Sequence, residues 1–304
     1  MPLIAYEDWN PSLKSMQLIQ LADGICEEYA EQGYDLTLRQ LYYQFVARDY
    51  LPNNQRSYSN LGRVIDRARK AGLLDWRYII DRTRNLMGFN TVESPAELIA
   101  EQEYRYHLDL WEGQGERVEV WVEKEALAGV IARTANRYGV DYFSCRGYVS
   151  QSELHAAAQR HQDYEEAGQQ VTVIHLGDHD PSGIDMTRDV QDRLRLFWAS
   201  TNVERIALNW EQIDQYNPPP NPAKLTDSRA QGYIEEFGGS SWELDALNPD
   251  TLDGLIREAI ERHMDRPMFE ARRKLQAAGR SQLRATSRHW ASVSRHVAGL
   301  ESGQ

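Results

Sequence analysis

The sequence predicts a mixed α/β protein with a small helical N-terminal domain, a parallel-sheet domain and a helical C-terminal tail. Three observations predict it. From residue 117, strand-like apolar runs alternate with helix-length segments, the pattern of a parallel sheet with helices on its faces. Between 36 and 80, a helix, a turn, an Arg-rich helix and two short apolar runs follow one another, the order of a winged helix-turn-helix. Beyond 266 the chain reads as a basic helix.

Taken in order, residues 1–35 form an extension whose helix, 11–32, carries Leu13, Met16, Leu18, Ile19, Leu21 and Ile25 at helical spacing. The 36–90 domain begins at Thr37, a cap for helix Leu38–Arg48. The turn Leu51–Asn54 leads to a helix over 57–72, and short strands are expected at Leu73–Leu74 and Tyr78–Ile80. Residues 91–114 read as a linker. Within 115–265, strands Arg117–Glu123, Val140–Cys145, Val171–Leu176 and Glu204–Asn209 alternate with helices 124–137, 151–167 and 182–198. A proline-rich loop, 217–222, precedes helical stretches at 242–247 and 250–264, and the tail occupies 266–304.

The composition, 41% hydrophobic and 26% charged, is that of a globular chain rather than a disordered or fibrous one. No apolar run has membrane-spanning length, and the first residues lack the basic and apolar regions of a signal peptide. Cys26 and Cys145 cannot build a disulfide framework. A cytoplasmic protein away from the membrane is therefore expected. The net charge of −12 argues against a nucleic-acid partner, but it is unevenly spread: 36–90 carries ten basic and four acidic residues, and 271–300 seven basic and none acidic. The Arg-rich helix offers Arg63, Arg67, Arg69 and Lys70, with Arg56 just before it, to a DNA backbone.

The acidic residues fall where an α/β sheet places its chemistry, at the carboxyl ends of strands. Glu123 ends the first strand, and Asp178 and Asp180 follow the third, two apart so that both side chains can converge. Carboxylates of this kind suit Mg²⁺. Asp180 also fits a helix N-cap and Asp178 a turn residue. His175 and His179 flank the site, yet no cysteine supports zinc, and an oxygen-donor site explains more residues. On helix 38–48, Leu38, Leu41, Tyr42 and Phe45 form one apolar face, so Tyr42 reads as core. Tyr43 leaves that stripe, and Arg39 lies one turn before it, a phenol beside a guanidinium that can hold a phosphate. Two packed helix tyrosines remain the simpler reading of the pair.

Val-Glu-Lys-Glu (122–125, with Lys124 and Glu125) and Asp-His-Asp-Pro-Ser-Gly (178–183) resemble the two signatures of the Toprim domain of topoisomerases, primases and some nucleases. Arg39-Gln-Leu-Tyr-Tyr43 resembles the active-site motif of the DNA topoisomerase VI A subunit and its meiotic double-strand-break relative, with Gln40 where that family usually carries an acid. Trp242–Leu247 is similar to a later Glu-x-x-Ala-Leu motif, through Glu243, and Arg146-Gly147 to a glycine-containing turn. The chain looks like the compact stand-alone Mini-A versions of mobile elements. The resemblance implies a winged-helix domain before a Toprim domain, and Tyr43 as nucleophile with Arg39 orienting the phosphate. It also implies Mg²⁺ on Glu123, Asp178 and Asp180, and a homodimer in which one chain's tyrosine meets the other's metal site on double-stranded DNA. The setting would be the nucleoid of a prokaryote or its phage. The chain has no ATP-binding glycine loop, so strand passage would need a separate ATPase subunit. Two alternatives stay open, a Toprim nuclease using water and a non-catalytic DNA-binding protein of a mobile element. The 221–229 loop adds Lys224 and Arg229 as further DNA contacts, against a plain surface loop.

Overall fold

Capping residues set the boundaries of the first helices. The structure, a computed structural model, describes residues 3–80, 91–223, 227 and 229–301. Helix α1 (Leu13–Glu31) starts at the Ser12 cap and buries Ile19, Ala22, Ile25, Cys26 and Tyr29. Helix α2 (Leu38–Ala47) opens with a capping box: Gln40 N–H donates to Thr37 Oγ1 and Thr37 N–H to Gln40 Oε1. Gln40 therefore has a structural task at the position where an acid was expected. Asn54 caps α3 (Gln55–Lys70), which buries Leu61, Val64, Ile65 and Ala68 and leaves Arg56, Arg63 and Arg67 exposed. The short strands expected at 73–74 and 78–80 are not formed. Asp75 instead accepts from Arg77 N–H and starts a 3₁₀ turn, Trp76–Tyr78, leaving one parallel bridge between Leu36 and Ile79.

The parallel sheet expected from the alternation is present. Strands β1 (Glu116–Val122), β2 (Asp141–Ser144), β3 (Gln170–Leu176) and β4 (Asn202–Ala207) lie in the order β2-β1-β3-β4. The central strands β1 and β3 are buried almost throughout, as strands covered on both faces must be. In sequence α4 (Pro95–Arg105) precedes β1, while α5 (Ala128–Tyr138) and α6 (Gln151–Glu166) lie between β1 and β3. The 3₁₀ turn Glu125–Leu127 precedes α5, so the helix starts later than expected. Helices α7 (Pro181–Leu196) and α8 (Trp210–Tyr216) follow β3 and β4. Proline at 222 still joins a short antiparallel pair, β5 (Asn221–Pro222) with β6 (Ser240–Ser241), around α9 (Ala230–Phe237). The 242–247 stretch is a 3₁₀ turn over Leu244–Ala246, and α10 (Pro249–Arg262) packs on α5.

The chain divides into two compact units. The first comprises residues 1–84 and 118–262, and the second 85–117 and 263–304. In the second, the stretch expected as a linker carries α4, which packs on α11 (Arg266–Arg288), ahead of α12 (Trp290–Glu301). Several basic residues of α11 hold this unit together: Arg284 pairs with Glu103, Arg272 with Glu112, and Arg280 donates to Tyr106 O. Among the described residues no helix is long and apolar enough to cross a membrane.

One buried charge anchors the sheet. Glu119 of β1, 2% exposed, accepts from Trp121 Nε1 at 2.9 Å and from Arg160 of α6 at 2.8 and 2.9 Å. Burial alone would raise its carboxyl; the neighbouring His161 and Arg160 outweigh that and pull it down to about 2. The resulting stability is present above pH about 4.5 and is lost as pH falls toward 2. Glu119→Gln should cost about 3 kcal/mol in urea unfolding at pH 7, and the gap to the wild type should narrow across that acid window.

Candidate functional site

The sheet order creates the site. The chain leaves β1 on one side for β2 and returns on the other for β3, so the carboxyl ends of β1 and β3 diverge at a switch point where α/β sheets bind ligands. Glu123 and Lys124 leave β1 there, and Gly177–Asp180 leave β3. Arg205 of β4 ties the second loop down. Its Nη2 donates to the carbonyls of Gly177, Asp178 and Leu208 at 3.0, 2.6 and 3.1 Å, and its Nη1 to those of Gly183 and to Thr187 Oγ1 at 3.0 Å. Gly183 has no room for a side chain, since a Cβ would stand 2.2 Å from Asp178 O.

A third segment completes the cluster. His179 and Trp242 exchange backbone hydrogen bonds of 2.8 and 2.9 Å, which lays the 242–247 stretch beside the Asp178 loop. Leu244 N–H donates to Asp178 Oδ1 at 2.8 Å. Asp178, Glu243 and Asp245 thereby bring one oxygen each within 4.8 Å of one another. Three carboxylates with hard oxygen donors can hold a metal ion. Lys124 Nζ lies among them, 2.9 Å from Asp178 Oδ1 and from Asp245 Oδ1 and paired with Glu243. Burial works to lower the Lys124 ammonium, but Asp245, Asp178 and Glu243 together raise it, so it stays charged. Asp178 is raised well above the carboxylate range by burial, with Glu123, Glu243 and Asp245 adding to the effect.

The carboxylates that the structure brings together are thus not the same three that were read in the sequence. Asp178 belongs to both sets. Glu123 lies outside this cluster: its Oε2 accepts from Asp178 N–H at 2.9 Å, and burial raises its carboxyl. Asp180 is the N-cap of α7, accepting from Gly183 N–H at 2.6 Å and Ser182 Oγ at 2.9 Å. Glu243 takes a central part, and Asp245, 2% exposed, was missed. Its sequence signal was an acid inside the apolar run Trp242–Leu247.

The tyrosine helix abuts this cluster. Arg39 Nε donates to Asp245 Oδ2 and its Nη2 to Glu243 Oε2, both at 2.8 Å, and its guanidinium lies 5.7 Å from the Tyr43 ring centre. Arg39, Tyr43, Tyr58, Asp180, Asn221 and Glu243 line a cavity of about 330 Å³. Tyr42 is core, as expected, its hydroxyl accepting from Asn54 N–H at 2.8 Å. Tyr43 is also buried, at 5% exposure, although it leaves the apolar stripe. Its phenol is pushed up to about 12 by burial and by Glu243 and Asp245, against the opposing pull of Arg39 and Lys124. The pull of Arg39 toward the phenolate is outweighed by burial first and by the two carboxylates second.

The other expected residues have separate fates. Arg56, Arg63 and Arg67 share the exposed side of α3, Arg67 standing over the Trp9 ring. Arg69 instead turns inward to the carbonyls of Trp76 and Ile79, and Lys70 pairs with Asp66. Glu125 pairs with Arg146, and Arg229 with Asp227 and Asp185. Lys224 lies outside the described residues. His175 bonds Thr187 Oγ1 and is held down near 3 by burial and Arg205. His179 bonds the Tyr233 hydroxyl within a cluster of aromatic rings.

In comparisons with protein-family models, curated proteins and solved structures, nothing matched this chain. Gly183→Ala should force the Asp178 loop apart and lower stability by roughly 1–3 kcal/mol in denaturant unfolding.

Proposed function

We propose that the protein is a DNA transesterase of the type IIB topoisomerase kind, in which a winged-helix domain carries Tyr43 and a Toprim domain carries the metal site. The observation that supports this best is the shared cavity: Tyr43 and Arg39 of α2 meet Glu243 and Asp180 of the sheet domain there, next to the acidic cluster. Neither half alone favours cleavage of a phosphodiester; a phenol, a guanidinium and a hard-oxygen cluster together do.

In this reading, Tyr43 Oη attacks a backbone phosphorus, the bond to the 3′-oxygen breaks, and the 5′-phosphate stays on the tyrosine. Asp180, which lines the same cavity as Tyr43, would take the phenolic proton, which the departing 3′-oxygen finally needs. Arg39 Nε and Nη2 hold Asp245 and Glu243, leaving Nη1 to orient the phosphate. Asp178, Glu243 and Asp245 would hold a Mg²⁺ ion, which would supply stabilisation of the charge that develops on the phosphate. The exposed Arg56, Arg63 and Arg67 bind the duplex backbone. Two copies act together, each cutting one strand, and a separate ATPase subunit would be needed for strand passage.

The high position of the Tyr43 phenol favours a second reading, a metal-dependent nuclease in which water attacks and the tyrosine is structural. One experiment separates them. The protein is incubated with supercoiled DNA and Mg²⁺ and quenched with denaturant. A covalent DNA adduct lost in Tyr43→Phe is the expected result. Cleavage with free 5′ ends, unchanged by Tyr43→Phe and abolished by Asp178→Ala, would select the nuclease.

DNA binding gives an independent check. Arg63→Ala and Arg67→Ala should each weaken binding across all sequences and reduce the salt slope by about one, whereas Arg69→Ala should act mainly on stability.

A further inference from the structure

We infer that the Lys124 ammonium is a tethered counter-ion of the acidic cluster, which a divalent metal ion must displace on entering. The inference rests on the metal-ion reading of Asp178, Glu243 and Asp245. The space between three oxygens that lie within 4.8 Å of one another is where a cation belongs, and Lys124 Nζ is 2.9 Å from two of these residues and paired with the third. A protonated amine has three donors and no lone pair, so it cannot ligate a metal. At these distances it repels one.

Arg39 reaches only Glu243 and Asp245, whereas Lys124 touches all three carboxylates. Lys124 is therefore the group that balances the whole cluster when it holds no metal. It also has somewhere to go. The same side chain lines an adjoining cavity of about 360 Å³ with Glu123, Glu125 and Arg146, and there the ammonium would share Glu125 with Arg146. A flexible four-carbon stem allows that movement. Lysine and metal thus compete for one set of oxygens. The cluster keeps its shape when empty, at a cost in metal affinity.

The sign of this effect sets it apart from an ordinary structural lysine, whose loss lowers metal affinity or leaves it alone. Mn²⁺ binding to the full chain without DNA, followed by calorimetry and by the Mn²⁺ electron-spin signal, tests it. Lys124→Met should bind Mn²⁺ roughly ten- to a hundredfold more tightly than wild type, and Lys124→Arg should stay near wild type. Without metal, Lys124→Met should melt below the wild type, and Mn²⁺ should raise its melting temperature by more. If Lys124→Met needs metal to fold, the same comparison comes from melting temperature against Mn²⁺ concentration. Wild-type binding with no gain in Lys124→Met would overturn the inference and leave the metal reading standing. Absence of Mn²⁺ binding in both would overturn the two together.

Discussion

Like charges gather in a protein interior only when something balances them, and here Lys124 and Arg39 balance Asp178, Glu243 and Asp245. The rest of the first unit serves this arrangement. The sheet order opens the switch point, Arg205 and the absence of a side chain at Gly183 set the Asp178 loop, and the His179–Trp242 pairing delivers the two remaining acids. Each contribution comes from a different stretch of chain.

The same ion pairs dock the tyrosine helix. Arg39 is both a neighbour of Tyr43 and a partner of Glu243 and Asp245, so the charge state of the cluster and the surroundings of the phenol are one system. On the proposed reading, a metal ion that draws the carboxylates to itself also loosens their hold on Arg39. The phenol, kept high by burial and by those carboxylates, would then face a freer guanidinium. On that reading, binding of metal and preparation of the nucleophile are electrostatically linked.

Charge bookkeeping over the whole chain hides this organisation. The net charge is −12, yet a stripe of arginines stands exposed on α3, while much of the basic character of α11 is consumed by Glu103, Glu112 and backbone carbonyls within the second unit. On the proposed reading, the α3 stripe is the cationic surface that meets the DNA backbone. Long-range attraction remains weak, so binding would depend on contacts made close in.

The fold class was legible from the sequence because alternating apolar runs and helix-length segments leave few arrangements other than a parallel sheet. Caps such as Thr37 and the strands carrying Glu123 and Asp178 were legible for the same reason, being local patterns. The expected strands after α3 failed because Asp75 capping a 3₁₀ turn outweighed a short apolar run. The ligand set was only partly legible. Asp180 and Glu123 follow the expected strands, and one oxygen of each accepts from a backbone N–H, a choice made by how the loop closes. Asp245 joins Asp178 from beyond position 240 through a loop-to-loop pairing that no local spacing encodes; the neighbouring Leu244–Asp178 bond already spans 66 positions. Short-range periodicity alone set the four strands of the sheet, their alternation with helices and the strand ends that carry Glu123 and Asp178. The tertiary structure alone decided which carboxylates converge and that a lysine stands among them, because charge compensation acts between residues distant in the chain and close in space.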